Sequence, residues 1–249
     1  MVYFFCLFSL AIGGVIMQDF LTGTGYTVVY ILVCLIVALP IRRLTKIQDE
    51  PFRKLLHCIA LSSIMCYVYG FQMWYHAVLF CVVFAVALYP VLWFFERFPL
   101  YSRLLTERKK GELKSSLIVV FLMFAIVLTV CWGFLDDRFL AVASVFAWGF
   151  SDAAAALIGK QYGKHKIPGS KKSWEGTLSM FAVSLICVFA VLMIRGGLSV
   201  LGCLLTAILT AVVSAAVELY TPGGYDTITC PLSAMVVILP LVHILEGTL

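Results

Sequence analysis

Residues 152–179 read DAAAALIGKQYGKHKIPGSKKSWEGTLS and join two apolar segments through a basic loop. Asp152 stands inside the first apolar segment, and the loop that follows holds five lysines and three glycines. A charged side chain in the middle of a membrane helix costs about 3 kcal/mol, so Asp152 is predicted to have a function. Lysine and glycine together favour phosphate binding, because lysine supplies positive charge and glycine lets backbone N–H groups approach an anion. The stretch therefore predicts a metal–nucleotide site at the end of a membrane helix.

The composition predicts a polytopic membrane protein. The chain is 63% hydrophobic and 12% charged, whereas about a quarter of the residues in a soluble domain are charged. We therefore predict an all-α transmembrane helix bundle that forms a single integral membrane domain over residues 1–249. The net charge of +5 is interpreted as a membrane orientation signal, and no nucleic-acid partner is expected. Membrane lipids surround such a bundle, and a homo-oligomer is left open.

Apolar runs long enough, or nearly so, to cross a bilayer predict about nine spans. They cover residues 2–17, 25–41, 56–72, 74–95, 115–135, 138–158, 175–194, 198–218 and 229–246. The loops that hold 16 of the 18 Lys and Arg residues are 42–54, 97–114 and 159–172. If each run crosses once, these loops share one side, which the positive-inside rule makes cytoplasmic. The same alternation places residues 219–228 and the N-terminus on the cytoplasmic side and the C-terminus outside.

The segment that begins at Pro51 carries one group of candidate site residues. On a helix opened by this proline, Arg53 and His57 share a face, and Lys54 lies three residues before the histidine. Arg53 and Lys54 suit phosphate contacts, and His57 suits a proton or hydrogen-bond partner. The alternative is an interfacial anchor whose basic residues meet lipid headgroups.

Two further segments lie on the predicted cytoplasmic side. Lys114 starts a span within residues 107–116 and is a candidate ligand-binding residue, although the segment also suits a topology-setting loop before a Ser-capped helix. Glu218 ends one span and Asp226 precedes the last, so both are candidate metal ligands. Asp226 suits a turn and helix cap equally well.

Within the opening stretch, Asp152 lies six residues before Gly159, which is roughly 9 Å below the predicted helix end. Mg²⁺ in phosphoryl transfer is usually held by one or two carboxylates and the substrate phosphates, so Asp152 is predicted to bind the metal. Ser173 is predicted to cap the next helix. Glu175 in the first turn of that helix suits either a structural role at the positive end of the helix dipole or a catalytic role.

These residues carry a resemblance to a known family. The pattern Asp152-x-x-Ala155-x3-Gly159-x3-Gly163, followed by Lys171-Lys172-Ser173-x-Glu175-Gly176, resembles the CTP-binding signature of the polyprenol kinase family. That family includes dolichol, phytol and farnesol kinases and the CTP-dependent diacylglycerol kinases. The elements Arg53-Lys54-x-x-His57 and Glu218…Pro222-x-Gly224-x-Asp226 resemble two more of its motifs. The resemblance covers about residues 51–240, with Thr227 in place of the usual Asn and Ser151 in place of a common Gly.

The resemblance implies a membrane enzyme that uses CTP and a divalent cation, Mg²⁺ or another, to phosphorylate a lipid alcohol at the cytoplasmic face. The metal ligands would then be drawn from Asp152, Asp226 and Glu218. The residues that would bind the nucleotide are Arg53, Lys54, Lys114, Gly159, Gly163, Lys171, Lys172 and Ser173. The proton of the lipid hydroxyl would pass to Glu175, Asp152 or His57.

Two alternatives have different chemistry. The related phosphatidate cytidylyltransferases transfer CMP from CTP to phosphatidate with similar carboxylate and metal chemistry. Their long C-terminal signature, with Lys-Arg, Lys-Asp and His-Gly-Gly-x-x-Asp-Arg, is not found in this sequence. A transporter would use the same charges along a path through the bilayer, but nearly every ionisable residue lies at one predicted face.

Overall fold

The structure, a computed structural model, describes residues 2–98, 111–170, 172–221 and 224–247, with side chains described from residue 14 onward except 15 and 113. The helices are α1 (Val2–Leu44), α2 (Asp49–Ser62), α3 (Ile64–Gly70), α4 (Trp74–Phe95), α5 (Glu112–Leu128), α6 (Arg138–Gln161), α7 (Trp174–Arg195), α8 (Val200–Tyr220) and α9 (Asp226–Glu246). A π-helical turn, Thr129–Phe134, extends α5. No β-strand occurs in these described ranges, which confirms the all-α prediction.

Seven helices of the described chain are long and apolar enough to cross a membrane. The protein is therefore a polytopic transmembrane helix bundle, and the prediction of about nine spans was too high. The most buried of the seven is α6, whereas α1 is the most exposed. The bundle is consequently built around α6, which packs against α2, α3, α7 and α9.

The first difference in span count lies in α1, which is continuous through the predicted runs 2–17 and 25–41. The polar residues between the runs do not end the helix, and one of them, Asp19, has partners elsewhere in the bundle. Asp19 is buried and accepts hydrogen bonds from the Gln72 backbone at 2.8 Å and from His76 Nδ1 at 2.5 Å. The two predicted runs form one helix that does not turn back, so the start of α1 lies at the opposite end from the basic residues Arg42 and Arg43. The predicted cytoplasmic position of the N-terminus therefore loses its support.

The second difference is the predicted span 56–72, which forms the two short helices α2 and α3. The break is at Ser63, whose hydroxyl donates to the backbone oxygen of Ala60 at 2.6 Å. The neighbouring hydroxyl of Ser62 donates to the Cys58 oxygen at 2.8 Å. Such side-chain hydrogen bonds to the backbone favour bends in helices, and the two adjacent serines lie at the point where one apolar run gives two helices.

The α2–α3 pair nevertheless runs antiparallel to α6. Lys54 of α2 contacts Asp152 in the second half of α6, and the Val68 oxygen of α3 accepts a hydrogen bond from Arg138 at the start of α6. Lys54 and Val68 are 14 residues apart (68 − 54), as are Arg138 and Asp152 (152 − 138). Fourteen helical residues span about 21 Å, so the two contacts lie at well-separated levels of the bundle.

Three charged residues lie at the end of the bundle away from Asp152, and we name them the Arg195 cluster: Asp137, Arg195 and Glu246. Asp137 caps α6 by accepting hydrogen bonds from the Phe139 and Leu140 backbones at 3.0 and 3.3 Å. Arg195 at the end of α7 donates to Asp137 and, through both terminal nitrogens, to Glu246 at the end of α9. The cluster therefore ties together the ends of three helices.

Candidate active site

Asp152 is buried in α6, and its charge partner comes from α2. Lys54 Nζ lies 2.5 Å from Asp152 Oδ2, and the two side chains are only 8% and 10% exposed. Buried charges persist in folded proteins when they are paired and hydrogen-bonded. The pair explains how a carboxylate is held within an apolar helix, and it joins residues 98 positions apart in the chain. The structure thus brings two of the predicted site residues into direct contact.

His57 completes this group, one helical turn after Lys54. Its Nε2 atom lies 3.5 Å from Asp152 Oδ2, and its ring meets Trp148 edge-on with centroids 4.9 Å apart. Nε2 is buried and has no hydrogen-bond partner among the described residues. We name Lys54, His57, Trp148 and Asp152 the Asp152 cluster. Because the buried Nε2 atom of His57 makes no hydrogen bond in the described chain, it could accept one from a ligand hydroxyl.

Trp148 was not predicted as a site residue. It lies in an apolar run, where tryptophan usually indicates a core residue. The sequence spacing could have indicated its place in the site. Trp148 is four residues before Asp152, so the two side chains share a helix face.

Two more carboxylates from other helices lie near this cluster. Glu218 at the end of α8 accepts from Lys172 Nζ at 2.9 Å, and the same amine also contacts the Glu218 backbone oxygen. Asp226, the first residue of α9, accepts from the Gly224 backbone at 3.2 Å, and Tyr225 is the N-cap residue in its place. Both Glu218 and Asp226 interact electrostatically with Asp152. Carboxylates from α6, α8 and α9 therefore lie at the same end of the bundle, near enough for their charges to interact.

These carboxylates do not form a preassembled metal centre. No group of three or more His, Cys, Asp or Glu side chains in the described chain is arranged to hold a metal. Lys54 instead neutralises Asp152, and Lys172 neutralises Glu218. Mg²⁺ bound with nucleotide phosphates needs only one or two carboxylates, so the oxygen donors present are compatible with it.

The loop between α6 and α7 is held in place by Glu175. Its Oε1 accepts from the Lys164 and His165 backbones, each at 3.1 Å, and from His165 Nδ1 at 2.7 Å. Within the described chain these partners all belong to the loop and none to the Asp152 cluster, and the predicted catalytic role of Glu175 stays a prediction. The predicted cap is confirmed, because Ser173 Oγ accepts from the Gly176 backbone at 3.2 Å.

The predicted phosphate-binding glycines bring α6 and α7 close together. Gly159 lies inside α6 and not in a loop, because the helix continues to Gln161 and places Asp152 about 14 Å from its end. A Cβ atom on Gly163 would clash with the Gly159 oxygen and lie 2.5 Å from Ser173 Oγ, and one on Gly176 would lie 2.9 Å from the Ala155 oxygen. These glycines therefore have a packing requirement of their own, whether or not they contact a nucleotide.

Replacing Gly163 with Ala is expected to lower the free energy of unfolding by about 2 kcal/mol, because overpacking forces backbone shifts. Denaturation of the detergent-solubilised protein measures this change. Gly25→Ala is the matched control, since a Cβ atom added to Gly25 would meet no neighbouring group within 4 Å. Equal stability of the two variants would contradict the close contact of Gly163 with Gly159 and Ser173.

The other predicted basic residues have separate partners. Lys114 lies 3.2 Å from Glu96 and contacts the Tyr89 ring, an arrangement that links α5 to α4 and not to the Asp152 cluster. Lys171 lies outside the described residues, so its predicted role stays a prediction.

Arg53 lies beside the Asp152 cluster but is already engaged by carboxylates. Its guanidinium is 2.5 Å from Glu50 and 3.8 Å from Glu112. Its Nε is buried and makes no hydrogen bond within the described chain. Arg53 is therefore fixed between α2 and α5 with one donor still available.

Comparison with known proteins adds a family match. The chain matches the cytidylyltransferase family over residues 5–220, a range that includes Asp152, Glu175 and Glu218 but ends before Asp226. Over 95 residues it is 37% identical to a phytol kinase from Synechocystis sp.. That alignment covers 37% of this chain and 40% of the relative, so the chain matches less than half of that protein. No solved structure matches the chain.

Proposed function

The chain belongs to the cytidylyltransferase family, and we propose that it is a CTP-dependent kinase that phosphorylates a membrane lipid alcohol at the cytoplasmic face. The observation that carries the proposal is the buried Asp152 cluster, which places a carboxylate, an amine and an imidazole together in a membrane helix bundle. The similarity to a phytol kinase supports a prenol-type alcohol as substrate, with diacylglycerol as the other candidate. The basic loops around this end of the bundle support a cytoplasmic site.

Asp152, together with Asp226 or Glu218, would hold Mg²⁺. The bound cation would neutralise the phosphate charge that develops during transfer and orient the phosphoryl group. The three carboxylates lie on different helices, so their separation depends on the packing of α6, α8 and α9. Lys54 and Lys172 currently balance two of these charges and would supply positive charge to the phosphates of CTP.

His57 is the proposed acceptor for the proton of the lipid hydroxyl. Its Nε2 is buried, lacks a hydrogen bond in the described chain and faces Asp152 at 3.5 Å. Trp148 fixes the ring orientation through its edge-on contact. Phosphoryl transfer depends mainly on positioning and charge neutralisation, so a weak base in this position is sufficient.

Cytidylyl transfer to phosphatidate is the second candidate function, and the family match is the observation that favours it. The two reactions cleave CTP at different positions. A kinase moves the γ-phosphate and releases CDP, whereas a cytidylyltransferase moves CMP and releases pyrophosphate.

Purified protein is incubated with Mg²⁺, CTP labelled at either the α or the γ phosphate, and phytol, farnesol, diacylglycerol or phosphatidate in separate reactions. We expect label from the γ position in the product of a lipid alcohol and none from the α position. A heat-inactivated sample and ATP in place of CTP are the controls. Label from the α position in phosphatidate would contradict the kinase and support CDP-lipid synthesis.

A further inference from the structure

An open groove lies between the end of α8 and the start of α9. It has a volume of about 510 Å³ and is lined mainly by apolar atoms. Its lining residues are Ala216, Val217, Tyr220, Thr221, Tyr225 and Thr229. The groove is open at the surface and is not an enclosed cavity, a shape that suits a chain lying along the protein.

Two threonines connect the groove to the carboxylates of the candidate site. Thr221 is three residues after Glu218, and Thr229 is three residues after Asp226, so each pair is separated by about one helical turn. The two threonine hydroxyls lie 3.2 Å apart, at the junction of α8 and α9. The groove therefore has one polar patch, the threonine pair, which lies within about one turn of two carboxylates along the chain, and an otherwise apolar lining.

The groove is at the depth expected for the headgroup of a lipid alcohol. Tyr220 and Tyr225 flank it, and they are 83% and 70% exposed. Exposed tyrosines concentrate at membrane–water interfaces, where the ring is in contact with lipid and the hydroxyl with water. A single-hydroxyl lipid bound there would keep its chain in the bilayer and its hydroxyl at the level of Glu218 and Asp226.

We propose that the groove between α8 and α9 binds the hydrocarbon chain of the lipid alcohol substrate and that the Thr221–Thr229 pair orients its hydroxyl. The inference rests on the proposed kinase function and adds to it the route by which the substrate enters from the bilayer. A prenol fits this groove because it joins one hydroxyl to an apolar chain. The chain would pass Val217 before the hydroxyl reaches the threonines.

Val217→Trp tests the groove, because an indole at this position fills the space between the two helices. We expect KM for phytol to rise about tenfold or more, a change typical of altered apolar pocket contacts, while KM for CTP stays within about twofold. Val212→Trp is the matched control, since Val212 is exposed on the same helix and outside the groove lining. An unchanged KM for phytol in Val217→Trp would overturn the inference.

A binding measurement separates this inference from the kinase proposal. A farnesol analogue with a photoreactive diazirine is crosslinked to the full chain in lipid nanodiscs without CTP. We expect labelling within residues 216–229 that phytol prevents, phosphatidylcholine does not prevent, and Val217→Trp lowers about tenfold. Equal competition by phosphatidylcholine, or labelling elsewhere, would overturn the inference. Groove labelling in a protein that moves no γ-phosphate would instead contradict the kinase.

Discussion

Replacing Asp152 with Asn is expected to lower the rate of phosphoryl transfer to lipid by about 10³-fold, because the site loses a negatively charged oxygen ligand for the cation. Asp152 is the most buried of the three proposed metal ligands and the only one paired with Lys54 in the described structure. The initial rate of γ-phosphate transfer from CTP to the preferred lipid alcohol measures the effect.

The same substitution also leaves Lys54 buried without its charge partner, which is expected to lower the free energy of unfolding by about 3–5 kcal/mol. The double variant Lys54→Met/Asp152→Asn separates the two effects, since it removes both members of the pair. We expect it to recover most of the lost stability and to remain inactive. Recovery of activity in the double variant would contradict a role for Asp152 in binding the metal.

The location of the site could be predicted from the sequence because charges are rare in this chain. A carboxylate in an apolar helix requires a partner, and the basic segments that supply partners alternate with apolar runs so that they share one side. Lys54 and Asp152 therefore had to lie at the same end of the bundle if the intervening runs crossed the membrane. The structure brings these two residues together, although they are 98 positions apart in the sequence.

The partners themselves could not be predicted from the sequence. Asp19 and its polar neighbours resemble a loop between two spans, but the contact with His76 that lets α1 continue depends on how α1 packs against α4. Glu175 has the same local sequence signal whether it faces a substrate or the preceding loop. Only the folded loop shows that the backbone N–H groups of Lys164 and His165 donate hydrogen bonds to the Glu175 carboxylate.

Replacing Arg195 with Met is expected to lower the free energy of unfolding by about 3 kcal/mol without changing the catalytic rate of the folded protein. Arg195 is 14% exposed and contacts two carboxylates that are each 16% exposed. Its removal leaves Asp137 and Glu246 partly buried without their common partner, which destabilises the ends of α6, α7 and α9. In a chain of this size the thermal midpoint is expected to fall by roughly 6–12 °C.

Thermal unfolding followed by intrinsic fluorescence gives the stability change, and activity below the transition gives the rate. Arg43→Met is the control, because Arg43 is exposed at the end of α1 and its replacement leaves the Arg195 cluster intact. Arg195→Lys is expected to recover only part of the loss, since lysine cannot reproduce the paired contacts of the guanidinium with Glu246. A fall in catalytic rate with unchanged stability would show instead that the Arg195 cluster takes part in catalysis.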